Sequence, residues 1–320
     1  MKRFALVGAA GYIAPRHMRA IIETENELVS AYDPNDSVGI IDSISPESHF
    51  FTNFERFYEH AWDLRRNPSR SIDYFVVASP NHLHRAHIAA GLRLGADVIC
   101  EKPLVPTVSD LKVLKDLEVE TGRRVYNVLQ LRHHDAIQTL KAEVNADQRQ
   151  RAFDVELTYI TSRGRWYHES WKGDPLKSFG ISTNIGIHFF DMLHYVFGDL
   201  VDVELHMSTP QKAAGHLRYE RANVSWFLST DANDLPDIVR GAKSTYRSVK
   251  LEGTELEFSQ GFTDLHTTTY QEILRGDGFG IEDARSSVSV TEMLRTMTPI
   301  APSTGALHPY AKHLIGDQHL

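Results

Sequence analysis

The strongest constraint on this chain is an alternation: short apolar runs and helical stretches take turns through about residue 129. Residues 4–7, 28–32, 72–78, 97–100 and 124–129 each read as a strand apolar on both faces. Helices are predicted between them, over 14–23, 53–67, 81–94 and 109–120. Strands buried on both faces and joined by helices make a parallel sheet with right-handed crossovers. The first 129 residues therefore predict an α/β Rossmann domain. After Ala146 the pattern changes to long alternating segments, 152–161, 200–209, 217–229 and 246–258, with helices to follow over 264–275 and 281–297. One polar face per strand predicts a largely antiparallel open sheet. Residues 130–320 are accordingly predicted as an α+β domain for substrate binding and oligomerisation.

The first strand runs straight into Gly8-Ala9-Ala10-Gly11-Tyr12-Ile13-Ala14. Glycines between a strand and a helix let the backbone approach a phosphate, whose charge the helix N-terminus favours. The spacing departs from GxGxxG, with Ala10 at the middle position and Ala14 at the third. The second strand ends in Asp33, where an acid accepts the ribose hydroxyls of an adenosine and repels a 2′-phosphate. That favours NAD over NADP, although Asp33-Pro34-Asn35-Asp36 also makes a good turn in its own right. The cofactor candidates are Gly8, Gly11, Tyr12, Ile13 and Asp33, then Ser79, Asn81 and His84, and finally Glu101 and Gln130. His82, His84 and His87 straddle a strand-to-helix turn with no nearby cysteine, so no metal is expected there.

The run 97–100 ends abruptly in Glu101-Lys102-Pro103. Proline fixes its own backbone angle and holds Lys102 out of the helical region. A lysine fixed at the C-terminal end of a parallel strand stands where open α/β sheets bind ligands. Taken alone, the tripeptide is equally a strand end with a solvated salt bridge. Cys100, the chain's one cysteine, excludes an intrachain disulfide and reads as a buried, inert thiol.

A second group of candidates lies on the predicted helix 182–197, which is apolar nearly all round. Asn184, His188, Asp191 and Tyr195 recur at intervals of four, three and four, a polar stripe on a helix that must be buried. Buried polar groups need partners, so the stripe is either an internal network or the wall of a site. If it is a site, His188 is the general-base candidate. Upstream, Arg163, Arg165, Lys172 and Lys177 share a loop with Trp166, Tyr167, His168 and Trp171. In a chain of net charge −8, that basic, aromatic island suits a ligand with phosphate or carboxylate beside an apolar face. Arg132 is placed to join it. The acidic balance argues against nucleic acid and anionic membranes as partners. No apolar run suits a signal peptide or a membrane span, which predicts a cytoplasmic protein.

Taken together, the glycine loop, Ser79-Pro80-Asn81, Glu101-Lys102-Pro103 and Gly186-x-His188-x-x-Asp191 resemble the glucose–fructose oxidoreductase / inositol dehydrogenase (Gfo/Idh/MocA) family. In that family the lysine and the helix histidine contact the hydroxyl being oxidised, which carries over to Lys102 and His188. Asn184 stands where the family often has Asp, so it is a hydrogen-bonding candidate rather than a proton relay. The runs 8–17, 33–39 and 166–174 are similar to the subgroup of bacterial UDP-N-acetyl-2-amino-2-deoxyglucuronate 3-dehydrogenases. That resemblance implies NAD as cofactor and oxidation of the 3-hydroxyl of a UDP-sugar uronate. It further implies a homotetramer and a role in lipopolysaccharide (O-antigen) synthesis. In part of the subgroup 2-oxoglutarate reoxidises the bound cofactor. The implied catalytic residues are Lys102, His188 and Asn184. The substrate set adds Arg132, Arg163, Arg165 and Tyr167. A free polyol, inositol or aldose as substrate, or NAD-assisted glycoside cleavage, stays open.

Overall fold

The computed structural model describes residues 1–148, 151–257, 264–303 and 305–315. The chain divides into two compact units, Met1–Gln130 with Thr263–Arg285, and Leu131–Phe262 with Ser286–Leu320.

In the first unit, β1 (Arg3–Val7), β2 (Glu27–Tyr32), β3 (His49–Phe51), β4 (Tyr74–Val77), β5 (Asp97–Cys100) and β6 (Val125–Asn127) form one sheet. Their order is β3-β2-β1-β4-β5-β6 and every pairing is parallel, as the alternation predicts. The order reverses between β1 and β4, which creates a crevice at the carboxyl ends of these strands. Phe4, Leu6, Phe75, Val76, Val98 and Ile99 are fully buried, each contributing about 1.5–3 kcal/mol by leaving water. β3 has only three residues at the sheet edge, too few for a period to mark it. The helix Leu265–Arg275 packs on the helix Ala14–Glu23 and brings Tyr270 to 5.9 Å from the ring of Phe4.

In the second unit, β7 (Phe153–Thr161), β8 (Leu200–Ser208), β9 (Lys212–Tyr219), β10 (Ala222–Ser229), β11 (Thr245–Leu251) and β12 (Thr254–Glu257) form a sheet ordered β12-β11-β7-β10-β9-β8. Only β7 and β10 pair in parallel, so the sheet is mixed and mostly antiparallel. Two segments that read as single strands are hairpins. The 217–229 segment reverses after Tyr219, where the Glu220 and Arg221 N–H groups donate to the Asp199 and Phe197 carbonyls. The 246–258 segment reverses at Glu252 and Gly253, whose φ of 51° and 80° are the two left-handed positions of a tight hairpin turn. Each reversal takes only two residues, Glu220-Arg221 and Glu252-Gly253, and although the alternation shifts phase there, so short an interruption passes for part of one long segment. Phe258 lies outside the described residues. The helices Asp135–Ala146 and Ile187–Phe197 pack together, and Phe190, Phe197 and Trp226 fill the core they share with the sheet.

Helix His84–Arg93 lies against β4 and β5 at Gly91, where a Cβ would fall 2.8 Å from atoms of both Phe75 and Val98. Gly91→Ala should therefore destabilise the chain by about 1–3 kcal/mol, the usual cost of overpacking. A urea unfolding midpoint equal to the parent's would disprove this contact.

Candidate active site

The glycine loop turns at the end of β1. Gly8 has φ of 88°, and a Cβ there would lie 2.5 Å from the Ala78 carbonyl, so only glycine fits. The Gly8 and Ala9 N–H groups donate to the Tyr32 carbonyl, tying the loop to the end of β2. Asp33 follows immediately and is buried. Its Oδ2 accepts from the Ala10 N–H at 3.0 Å, and its Oδ1 accepts from the Asn35 backbone and side chain, both at 3.0 Å. Of roughly four lone-pair sites on a carboxylate, three are used, so the loop and the turn share Asp33 with any ribose. The helix Ala14–Glu23 begins with Pro15 in its first turn and carries no acid there, which leaves its N-terminus suited to phosphate. Tyr12 is exposed and Ile13 half-buried on that loop.

Beyond β4, the Ser79 hydroxyl lies 2.8 Å from His87 Nδ1, and Asn81 is buried. His84 is a clamp: Nδ1 is 2.7 Å from the Pro103 carbonyl and Nε2 is 2.8 Å from the Ser79 carbonyl. It ties the loop after β4 to the loop after β5. Burial lowers its pKa against the opposing pull of those carbonyls, and burial pushes His87 down to about 4. Gln130 Oε1 is buried and accepts from no group among the described residues, an acceptor that a carboxamide N–H could satisfy. Glycine loop, phosphate-ready helix end, Asp33 and Gln130 together fit a dinucleotide.

At the end of β5 the geometry is denser than the sequence suggests. Glu101 is 7% exposed, and its Oε1 lies 3.0 Å from His17 Nε2 and 3.0 Å from His266 Nε2. His17 Nδ1 lies 2.8 Å from the Tyr270 hydroxyl, and the Lys102 N–H donates to Glu101 Oε2 at 3.2 Å. Burial works to raise the Glu101 pKa, but the two imidazoles outweigh it and hold the carboxyl well below the usual range. Cys100 is buried and its thiol pKa is pushed up by burial, matching an inert thiol. His17, His266 and Tyr270 were not among the sequence candidates. The available signal was the four-residue spacing of His266 and Tyr270, which puts both on one helix face.

In the second unit, five residues before Ile187–Phe197 form a π-type turn, Ser182–Gly186, a distortion common at functional sites. It carries Asn184, whose amide donates to the Tyr167 hydroxyl at 2.6 Å. Burial raises the Tyr167 pKa against the opposing effects of Asn184 and Arg163, and the Arg163 guanidinium lies 5.3 Å from the Tyr167 ring centroid. Lys172 sits over the rings of Trp166 and Trp171, at 5.0 and 5.7 Å. Arg165 is exposed and His188 half-buried. The lower half of the polar stripe is an internal network: Arg132 binds Asp191 through two hydrogen bonds, 3.0 and 2.8 Å, with both side chains buried, and lies over the Tyr195 ring. The stripe is thus divided between Asn184, which meets the basic loop's Tyr167, and Asp191, which compensates Arg132. Asp191→Leu should cost about 3–5 kcal/mol in guanidinium unfolding because it leaves the Arg132 charge without its carboxylate. The double replacement Arg132→Met, Asp191→Leu should recover much of that loss; equal costs for both would refute the pairing.

Residues 2–128 match the oxidoreductase family's NAD-binding Rossmann fold, and residues 151–304 match its C-terminal alpha/beta domain. The WlbA (WbpB) dehydrogenase from Thermus thermophilus, solved with NAD and alpha-ketoglutarate, is 50% identical, with TM-score 0.93 over 97% of this chain and 100% of that one. The same Thermus enzyme solved with NAD and UDP-GlcNAcA is 49% identical at the same TM-score, 0.93, again over 97% of this chain and 100% of that one. The WlbA dehydrogenase from Bordetella pertussis shares the fold at 19% identity, with TM-score 0.75 over 94% of this chain and 98% of that one. Among curated proteins, glucose-6-phosphate 3-dehydrogenase of Bacillus subtilis is 26% identical over 62% of this chain, and the chain spans about half of its length, 54%. Both halves of the chain answer to one set of relatives, and it belongs to the Gfo/Idh/MocA oxidoreductases, with a Rossmann domain that binds NAD.

Proposed function

We propose that this enzyme oxidises the 3-hydroxyl of UDP-N-acetyl-D-glucosaminuronate to the 3-keto sugar. The observation that carries this reading is the similarity, 49% over 97% of this chain, to a dehydrogenase solved with NAD and UDP-GlcNAcA. NAD⁺ supplies the hydride acceptor. His188 takes the proton of the reacting hydroxyl, and Lys102 steadies the developing alkoxide as a fixed positive charge. Asn184 is assigned a hydrogen bond to the sugar. Tyr167 accepts from Asn184, so its own O–H remains a donor, and its raised pKa keeps that proton in place. Arg163, Arg165 and the aromatic loop are assigned to the diphosphate and the uronate. Arg132 is assigned to the same region through its pairing with Asp191, which fixes the guanidinium's orientation.

The surrounding biology belongs to the same proposal: a homotetramer assembled through the second unit's sheet, working in the cytoplasm on a lipopolysaccharide precursor. No helix among the described residues is long and apolar enough to cross a membrane. A structure of the Thermus dehydrogenase holding alpha-ketoglutarate with NAD supports 2-oxoglutarate as the acceptor that returns bound NADH to NAD⁺.

The test is nicotinamide reduction by the purified protein with UDP-N-acetylglucosaminuronate, with and without 2-oxoglutarate. Lys102→Ala and His188→Ala should each lower kcat by about 10²–10⁴-fold. Turnover within a few-fold of the parent in both variants would refute the assigned roles. Equal rates with an uncharged polyol or aldose would refute the substrate, and release of a free glycone without net nicotinamide reduction would refute the reaction.

A further inference from the structure

The buried cluster around Glu101 has more structure than binding a ribose needs. Two side chains from two helices bind one carboxylate, His17 from Ala14–Glu23 and His266 from Leu265–Arg275, and Tyr270 of the second helix backs His17. His17 is 0% and His266 2% exposed, so both are shut off from bulk water. With both imidazoles neutral, proton counting gives the direction of the bonds. Glu101 Oε1 only accepts, so both Nε2 atoms carry hydrogens, and His17 Nδ1 is left to accept from the Tyr270 O–H. His266 Nδ1 then holds a bare lone pair, in keeping with its lack of a partner among the described residues. The same three ligating atoms are close enough together to hold a divalent metal. A metal would take both Nε2 lone pairs and force a hydrogen onto His266 Nδ1, leaving a buried donor orphaned. Orphaned buried N–H groups are rarer than orphaned acceptors, which favours the hydrogen-bonded arrangement, and the metal content of the purified protein distinguishes the two.

The result is a fixed anion at the C-terminal end of β5. In a sheet ordered β3-β2-β1-β4-β5-β6, the adenosine half of a dinucleotide lies toward β2 and Asp33, and the nicotinamide half toward β4 and β5. Oxidised nicotinamide is a cation and reduced nicotinamide is neutral. We propose that His17, His266 and Tyr270 are positioning residues that hold Glu101 as an oriented anion at the nicotinamide end of the site, so that the protein binds the oxidised dinucleotide in preference to the reduced one. This inference rests on the NAD-binding reading of the first unit. The other groups linked to this cluster are His84, Cys100 and Tyr270, on which the Glu101 charge acts, Arg16, which acts on His266, and Lys102, which follows Glu101 in the chain and acts on His84. Burial keeps the thiol protonated, and the cations nearby are Lys102, Arg16 and, when both of its carbonyl contacts are hydrogen bonds, His84, whose charged form burial disfavours and the two carbonyls favour.

The experiment measures Kd for NAD⁺ and for NADH by calorimetry on the nucleotide-stripped chain, from about pH 5.5 to 8.5, a window above the ordinary carboxylate range. The parent should favour NAD⁺ with a ratio that Glu101 does not make vary with pH. Glu101→Gln should reduce that preference by about tenfold, the scale of one partly screened charge near the ring. His266→Gln keeps an N–H donor and should stay near the parent. His266→Leu removes the donor and raises the Glu101 pKa, so its preference for NAD⁺ should fall at the acid end and return as pH rises. Tyr270→Phe offers a milder variant should His266→Leu fail to fold. A ratio in Glu101→Gln within twofold of the parent's would overturn the proposal, as would stoichiometric metal that departs on replacing His17 or His266. A parent that binds neither nucleotide would instead overturn the NAD-binding reading itself.

Discussion

A carboxylate taken out of water is costly unless donors replace the water it loses. Glu101 sits at the end of a strand whose preceding residues, Val98, Ile99 and Cys100, are fully buried, and its own side chain is 9% exposed. The fold meets this cost with two imidazoles and one backbone N–H. Because the imidazoles lie on helices 14–23 and 265–275, satisfying one acid ties two helices to the end of one strand. Lys102 inherits that rigidity directly, since its own N–H is one of the three donors.

The same logic operates elsewhere on a smaller scale. His84 spans two carbonyls and joins the loops after β4 and β5. Asp33 joins the glycine loop to the turn after β2. Asp191 compensates Arg132 in the second unit. In each case a buried polar group does structural work close to residues that suit ligand binding. The loops at the carboxyl ends of the parallel strands are therefore braced rather than free, and preorganised charge is most effective where it does not have to reorganise.

Much of this was legible in the chain, for reasons that can be named. Strands buried on both faces leave unbroken apolar runs, so the parallel sheet was plain apart from β3, which is too short to carry a pattern. The hairpins after Tyr219 and at Glu252-Gly253 are marked in the sequence only by a phase shift of the alternation across a two-residue turn, too brief a signal to separate the strands on either side. The polar stripe announced a buried polar helix, but spacing alone could not say that Asp191 faces an arginine 59 positions earlier while Asn184 faces a tyrosine 17 positions earlier. His17 and His266 escaped for the same reason. Their common partner is Glu101, and they are 84 and 165 residues from it. Local pattern reports which face of an element is buried; it carries no information on which distant side chain will meet it.

That separation bears on how the molecule is made. The first unit is discontinuous, since 130 residues from the start of the chain are completed by Thr263–Arg285. A ribosome must deliver the whole second sheet before the helix bearing His266 and Tyr270 emerges. Until then Glu101 lacks one of its two imidazoles, and the helix 14–23 lacks the helix that packs on it. The finishing of the nucleotide-binding unit is thereby deferred until the second sheet has been made.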